Sequence, residues 1–167
     1  MTDYLAENFP ATARRLGKLP LADLPTPVRE YRLSLDNRAH AVWVKHDDRS
    51  SSVYGGNKLR KLEYLLHRAL SKRAERIATF GAAASNHMLA TTLHAGRLGL
   101  PCTCLTSHQP RSPSVAQTLR LLLANGAEIV RYGGDYHHRV ETMRQHVQGR
   151  NAWVIPVSYT HLRAHET

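Results

Sequence analysis

From about Leu59 onward the chain alternates between helical and strand patterning, and this alternation constrains the fold more than any other feature. Leu59, Leu62, Leu65, Leu66, Ala69 and Leu70 recur at three- and four-residue spacing, which predicts an amphipathic helix over 57–73. The short apolar run IATF (77–80) fits a buried strand closed by Gly81. A second helix then opens near Ser85, a good N-cap residue, and ends before Gly99. Residues 102–106 form the next strand. Ser112-Pro113 supplies an N-cap with proline at the first helical position, and that helix stops at Asn125-Gly126. A strand over 128–132, a helix over 135–147 and a strand over 152–157 complete the series. Four strands taking turns with helices of this length require right-handed crossovers, hence an α/β fold with a parallel sheet and helices on both faces.

Residues 1–56 differ. They hold a turn signal (Leu24-Pro25-Thr26-Pro27), an alternating strand candidate at 41–45 and a polar stretch, HDDRSSSVYGG, rich in serine and glycine. This reads as an arm plus a loop rather than an independent domain. With 167 residues, 42% of them apolar, the chain suffices for one ordinary core and is too short for two full-sized ones. No run of about 18 apolar residues occurs and the N-terminus has no signal-peptide pattern, so neither a membrane partner nor export is expected and the protein reads as cytoplasmic. Cys102 and Cys104 sit two apart in a strand, side by side on one face, and imply no disulfide framework. The net charge of +10 would suit a polyanion, but the basic residues run from Arg14 to Arg163 and the densest patch is interleaved with Glu63 and Glu75. No nucleic-acid recognition motif accompanies them, so no nucleic-acid partner is expected.

In an open α/β sheet, ligands bind beyond the carboxyl ends of the strands, where loops lead into helix N-termini. Two segments qualify: Tyr54-Gly55-Gly56-Asn57-Lys58 and Gly81-Ala82-Ala83-Ala84-Ser85-Asn86-His87. Counting along the helix puts Lys58 one turn before Leu62, on the face the leucines bury. Desolvation there would lower the amine's pKa and make it a nucleophile suited to Schiff-base chemistry; alternatively its long stem snorkels to water. The glycine pair allows close approach of a planar ligand or unusual dihedrals, or is a simple turn. Ser85, Asn86 and His87 offer a hydroxyl, a carboxamide and an imidazole at a helix N-terminus, which would suit a carboxylate or a phenolate; Ser85 also reads as a plain N-cap. Asp135 with His137 and His138 does not read as a metal site, because adjacent helical residues point about 100 degrees apart.

LPTPV (24–28), VKHDD (44–48), YGGNKLRKLEYLL (54–66), TFGA with SNH (79–87), RLGLPC (97–102) and WVIPV (153–157) together resemble the N-terminal half of the D-cysteine desulfhydrase and 1-aminocyclopropane-1-carboxylate (ACC) deaminase family. The resemblance implies a pyridoxal 5'-phosphate enzyme of tryptophan-synthase-β-like fold, acting on a small amino acid as a homodimer when full length. It implies that Lys58 bonds the cofactor, that Asn86 hydrogen-bonds the cofactor's phenolic oxygen, and that Ser85 contacts the substrate beside Asn86 and His87. The implied activity is most like D-cysteine desulfhydrase, giving pyruvate, sulfide and ammonia, with ACC deaminase as the alternative. A reading of another class is a basic, non-enzymatic α/β module binding polyanions. Ala84 and Leu89 stand where the family carries glutamine and arginine, so polar groups are missing beside the implied site; His46 stands where arginine is usual. The expected organisation is an arm of the large domain (1–56), a small α/β domain (57–157) and a non-native tail, SYTHLRAHET (158–167), similar to translated adapter read-through. Such a fragment, lacking the glycine-rich phosphate cradle, is expected to be nearly inactive.

Overall fold

The computed structural model describes residues 4–133 and 136–156, so Asp135, Val157 and the tail at 158–167 lie outside the described residues. The chain forms two compact units divided between Tyr64 and Leu65. The first unit carries helices α1 (Tyr4–Asn8) and α2 (Pro10–Leu16), strands β1 (Val28–Leu35) and β2 (Arg38–Lys45), and a short 3-10 turn at Asp47–Arg49. β1 and β2 pair antiparallel from Val28↔Lys45 to Leu35↔Arg38, leaving Asp36-Asn37 as a two-residue turn. Both turn residues have positive φ (49° and 57°), as the mirror-image hairpin turn requires. The strand expected at 41–45 is therefore the end of a longer β2, and its partner β1 is an addition to the sequence reading. Every residue of both strands is exposed, including Trp43 at 67%.

Helix α3 (Leu59–Ser71) begins at the end of the first unit. Leu59, Leu62, Leu66 and Ala69 are buried at the expected spacing, whereas Leu70 is exposed. The buried set also contains a carboxylate, Glu63, at 2% exposure. Leu21 and Ala22 donate their N–H groups to Glu63 Oε1 at 3.2 and 3.0 Å, and Lys18 Nζ lies 3.3 Å from Oε2. A buried charge is tolerable only with such partners.

The second unit is built on β3 (Arg76–Ala82), α4 (Asn86–Arg97), β4 (Cys102–Ser107), α5 (Pro113–Ala124), β5 (Glu128–Arg131), α6 (Tyr136–Val147) and β6 (Ala152–Ile155). The strands lie in the order β5-β4-β3-β6 and every pairing is parallel. The expected α/β architecture holds. Local chemistry sets the helix ends: Ser85 and Ser112 accept N–H bonds from Met88 and Val115, and Gly99 and Gly126 take φ of 74° as the chain leaves α4 and α5. Leu100 and Ala127 then donate back to Ala95 and Leu122, capping each terminus.

Helices cover both faces of the sheet. On one, α4 lies against β3 and β4, and α5 against β5. On the other, Met143 and Val147 of α6 pack with Val130, Tyr132 and Val154 over Ala78, Phe80 and Leu105. Cys102 and Cys104 are free and buried, with sulfurs 3.9 Å apart, and Thr92 lies 3.3 Å from the second. Near the amino ends of the strands, Glu128 accepts from Thr103 at 2.8 Å and pairs with Arg76 and Arg150. That cross-strand bracing leaves the opposite, carboxyl edge open for a site.

Candidate active site

At the carboxyl end of β3 the chain turns through Ala83 and Ala84 into α4. Ser85 has extended dihedrals (φ −69°, ψ 115°) and its Oγ accepts the Met88 N–H at 3.4 Å. The hydroxyl hydrogen remains available for donation. Gly81 is what lets Ser85 tuck in: a Cβ at Gly81 would meet Ser85 Oγ at 2.8 Å and its Cβ at 2.9 Å. Asn86 opens the helix and is exposed, while His87 is buried at 1% exposure. The N-terminal end of a helix of this length carries partial positive charge and favours an anion. Ala84, where the family pattern has glutamine, donates its N–H to Gln109 Oε1 at 2.9 Å, and Leu89 is buried.

Lys58 lies in the first unit, at the end of a braced loop. Gly56 N–H donates to Asp47 O at 2.7 Å and to Ser50 Oγ at 3.0 Å, and Ser50 is fully buried. The two glycines have separate reasons. Gly56 has φ +106°, and a Cβ at Gly55 would sit 2.1 Å from the backbone oxygen of Asp48. Both are thus accounted for by local turn geometry. The expectation that the helix starts at Asn57 is corrected: Leu59 N–H bonds back to Gly56 O at 3.3 Å, so the chain is still turning at Asn57 and Lys58. Lys58 sits just before α3, accepts the Leu62 N–H at 3.2 Å through its carbonyl, and is half-buried.

A second amine stands one turn on. Burial, and then the charge of Lys58, bring the Lys61 ammonium down from the ordinary value of 10.5 to about 8. Reading the sequence singled out Lys58 alone; the available signal was the spacing of Lys61, three residues after Lys58 and four before Leu65 on one helical face. Of the predicted site residues, Ser85, Asn86 and His87 come together at the head of α4, and Lys58 belongs to the other unit. The side chain of His137 lies outside the described residues, as does Asp135.

Residues 19–166 match the family model described as pyridoxal-phosphate dependent enzyme. Among curated relatives, nocardicin C-9' epimerase of Nocardia uniformis subsp. tsuyamanensis is 38% identical over 149 residues, covering 84% of this chain and 44% of the relative. D-cysteine desulfhydrase of Klebsiella pneumoniae subsp. pneumoniae is 40% identical over 91 residues, covering 54% of this chain and 28% of the relative. The crystal structure of an ACC deaminase homologue superposes with a TM-score of 0.71 at 28% identity, covering 94% of this chain and 48% of that one. The chain thus spans less than half the length of these proteins.

Proposed function

The chain belongs to the pyridoxal-phosphate-dependent enzyme family, and from that premise we propose that it forms the cofactor-facing small domain and arm of a lyase or deaminase acting on a small amino acid, of D-cysteine desulfhydrase type. Family membership counts against the reading as a non-enzymatic polyanion-binding module. The observation that carries the proposal is the head of α4, where the Ser85 hydroxyl and the exposed Asn86 carboxamide meet a helix N-terminus at the carboxyl edge of a parallel sheet. The donor set suits both cofactor and substrate: an amine at Lys58, a carboxamide at Asn86 to donate to a phenolate, and a hydroxyl at Ser85 to donate to a carboxylate.

When bound, pyridoxal phosphate supplies an electron sink for the pair left when an amino acid's α-carbon loses its proton. The chain's own part is then positional and acid–base. Lys58 would hold the cofactor through its amine and, when released, carry the α-proton on Nζ. Ser85 and the α4 terminus would bind the substrate carboxylate and so orient the amino acid. Lys61, one turn on, gives up its proton more readily than an ordinary lysine. In this reading the protein works in the cytoplasm as a homodimer, with residues 1–56 joining a larger domain.

With D-cysteine and water the products would be pyruvate, hydrogen sulfide and ammonia. ACC deaminase is the second reading, favoured by the superposition on an ACC deaminase homologue. Assay of the protein containing this sequence, loaded with pyridoxal phosphate, separates the two: sulfide from D-cysteine supports the first and 2-ketobutyrate from ACC the second. Exchange of the α-hydrogen with deuterated water, without either product, would replace both with an epimerase such as the Nocardia relative is named for.

A further inference from the structure

The carboxyl edge of the sheet holds a concavity between β4, β5 and α5 of about 330 Å³. Its rim carries Arg111, Arg131 and His108, all exposed. Strand register explains why they converge. Thr106 of β4 pairs with Arg131 of β5, so the last residues of both strands open into the same space. Arg111 then arrives from the β4–α5 loop, one residue before the Ser112 cap. Buried Val115 of α5, with Leu119 and Ile129, forms an apolar wall. No described carboxylate lines the cavity.

Two guanidiniums and an imidazole around a concave, partly apolar space, with no acidic residue to neutralise them, form a receptor for an anion with an apolar body. We propose that this cavity binds a small organic anion, a carboxylate or phosphate monoester whose charged end meets Arg111 and Arg131 and whose apolar body lies on Val115, Leu119 and Ile129. The cavity also touches the head of α4: Ala83 lines it, and the adjacent Ala84 N–H is held by Gln109, another lining residue. Occupancy would therefore be felt at the loop preceding Ser85. The proposal does not depend on the cofactor reading, since Arg111 and Arg131, which would meet the charged end, lie outside that site.

The test is titration of the protein with phenyl phosphate by calorimetry, alongside inorganic phosphate and phenol. Saturable binding of phenyl phosphate is expected. It should weaken by about threefold or more in each of Arg111→Ala and Arg131→Ala, as loss of one charge-assisted contact at an exposed site requires, and fall with added salt. Lys58→Ala should leave it unchanged, which separates this site from the cofactor site. Binding that survives in the double arginine variant overturns the proposal, as does absence of saturable binding. Equal affinity for inorganic phosphate would show that the apolar wall is unused and would overturn it too.

Discussion

Replacing Gly55 with alanine tests the loop that delivers Lys58. The added Cβ would stand 2.1 Å from Asp48 O, 2.8 Å from Asp48 C and 3.2 Å from Asp47 O. All three are backbone atoms, so no side-chain rotation relieves the clash. Restoring ordinary contact needs a shift on the order of 1 Å, which pulls Gly56 N–H away from Asp47 O and Ser50 Oγ. Two hydrogen bonds at about 1 kcal/mol each and overpacking of about 1–3 kcal/mol are offset by about 0.5–1 kcal/mol from the stiffer unfolded chain. The net loss is about 3 kcal/mol, or a drop in melting temperature of about 10 °C for a chain of this size. Gly96→Ala is the control. It lies within α4 with nothing within 4 Å of the new Cβ, so helix propensity alone acts and stability rises by about 0.5–1 kcal/mol. Urea unfolding of both variants reads the difference. A loss under 1 kcal/mol for Gly55→Ala, or equal effects at the two glycines, would refute the reasoning that this turn is closed by backbone contact.

Two further perturbations act on the first turns of α3. Glu63→Ala removes the acceptor of the Ala22 N–H and the partner of Lys18, leaves the Leu21 N–H with Leu19 O alone, and should cost about 2 kcal/mol, whereas Glu63→Gln keeps an acceptor and should cost about half as much; equal losses in urea unfolding would count against the bonding described. Because the folded-state pKa of Lys61 lies near 8, below the ordinary 10.5, the unfolded chain binds more protons between those values and stability rises with pH across that window. Lys61→Met removes this contribution, so the variant should be the more stable form below pH 8, with the gap closing by about pH 10.5; a pH-independent difference would contradict the assignment.

The second unit was legible because its punctuation is strong. Ser85 and Ser112 announce helix starts, Gly99 and Asn125-Gly126 announce ends, and the strands between them are short apolar runs with no rival helical period. Strand β1 has a weaker signature. Tyr31, Leu33 and Leu35 alternate with polar residues and Asp36-Asn37 is a good hairpin turn, but the alternation covers only five residues beside the Pro25 and Pro27 turn signal, and neither face of the strand is buried. Helices α1 and α2 likewise bury nothing. At the candidate site, the types and order of Ser85, Asn86 and His87 were readable, but the burial of His87 and the half-buried pair Lys58 and Lys61 depend on tertiary packing. The cavity between β4 and β5 was not readable at all. It follows from the register that sets Thr106 beside Arg131, which no local pattern encodes.

The central claim is that the Lys58 amine holds the cofactor. Incubating the protein with pyridoxal phosphate, reducing with borohydride and mapping the modified peptide measures it directly. A single stable label is expected on Lys58, absent in Lys58→Ala. A label on Lys61 or any other lysine, or none, would contradict it.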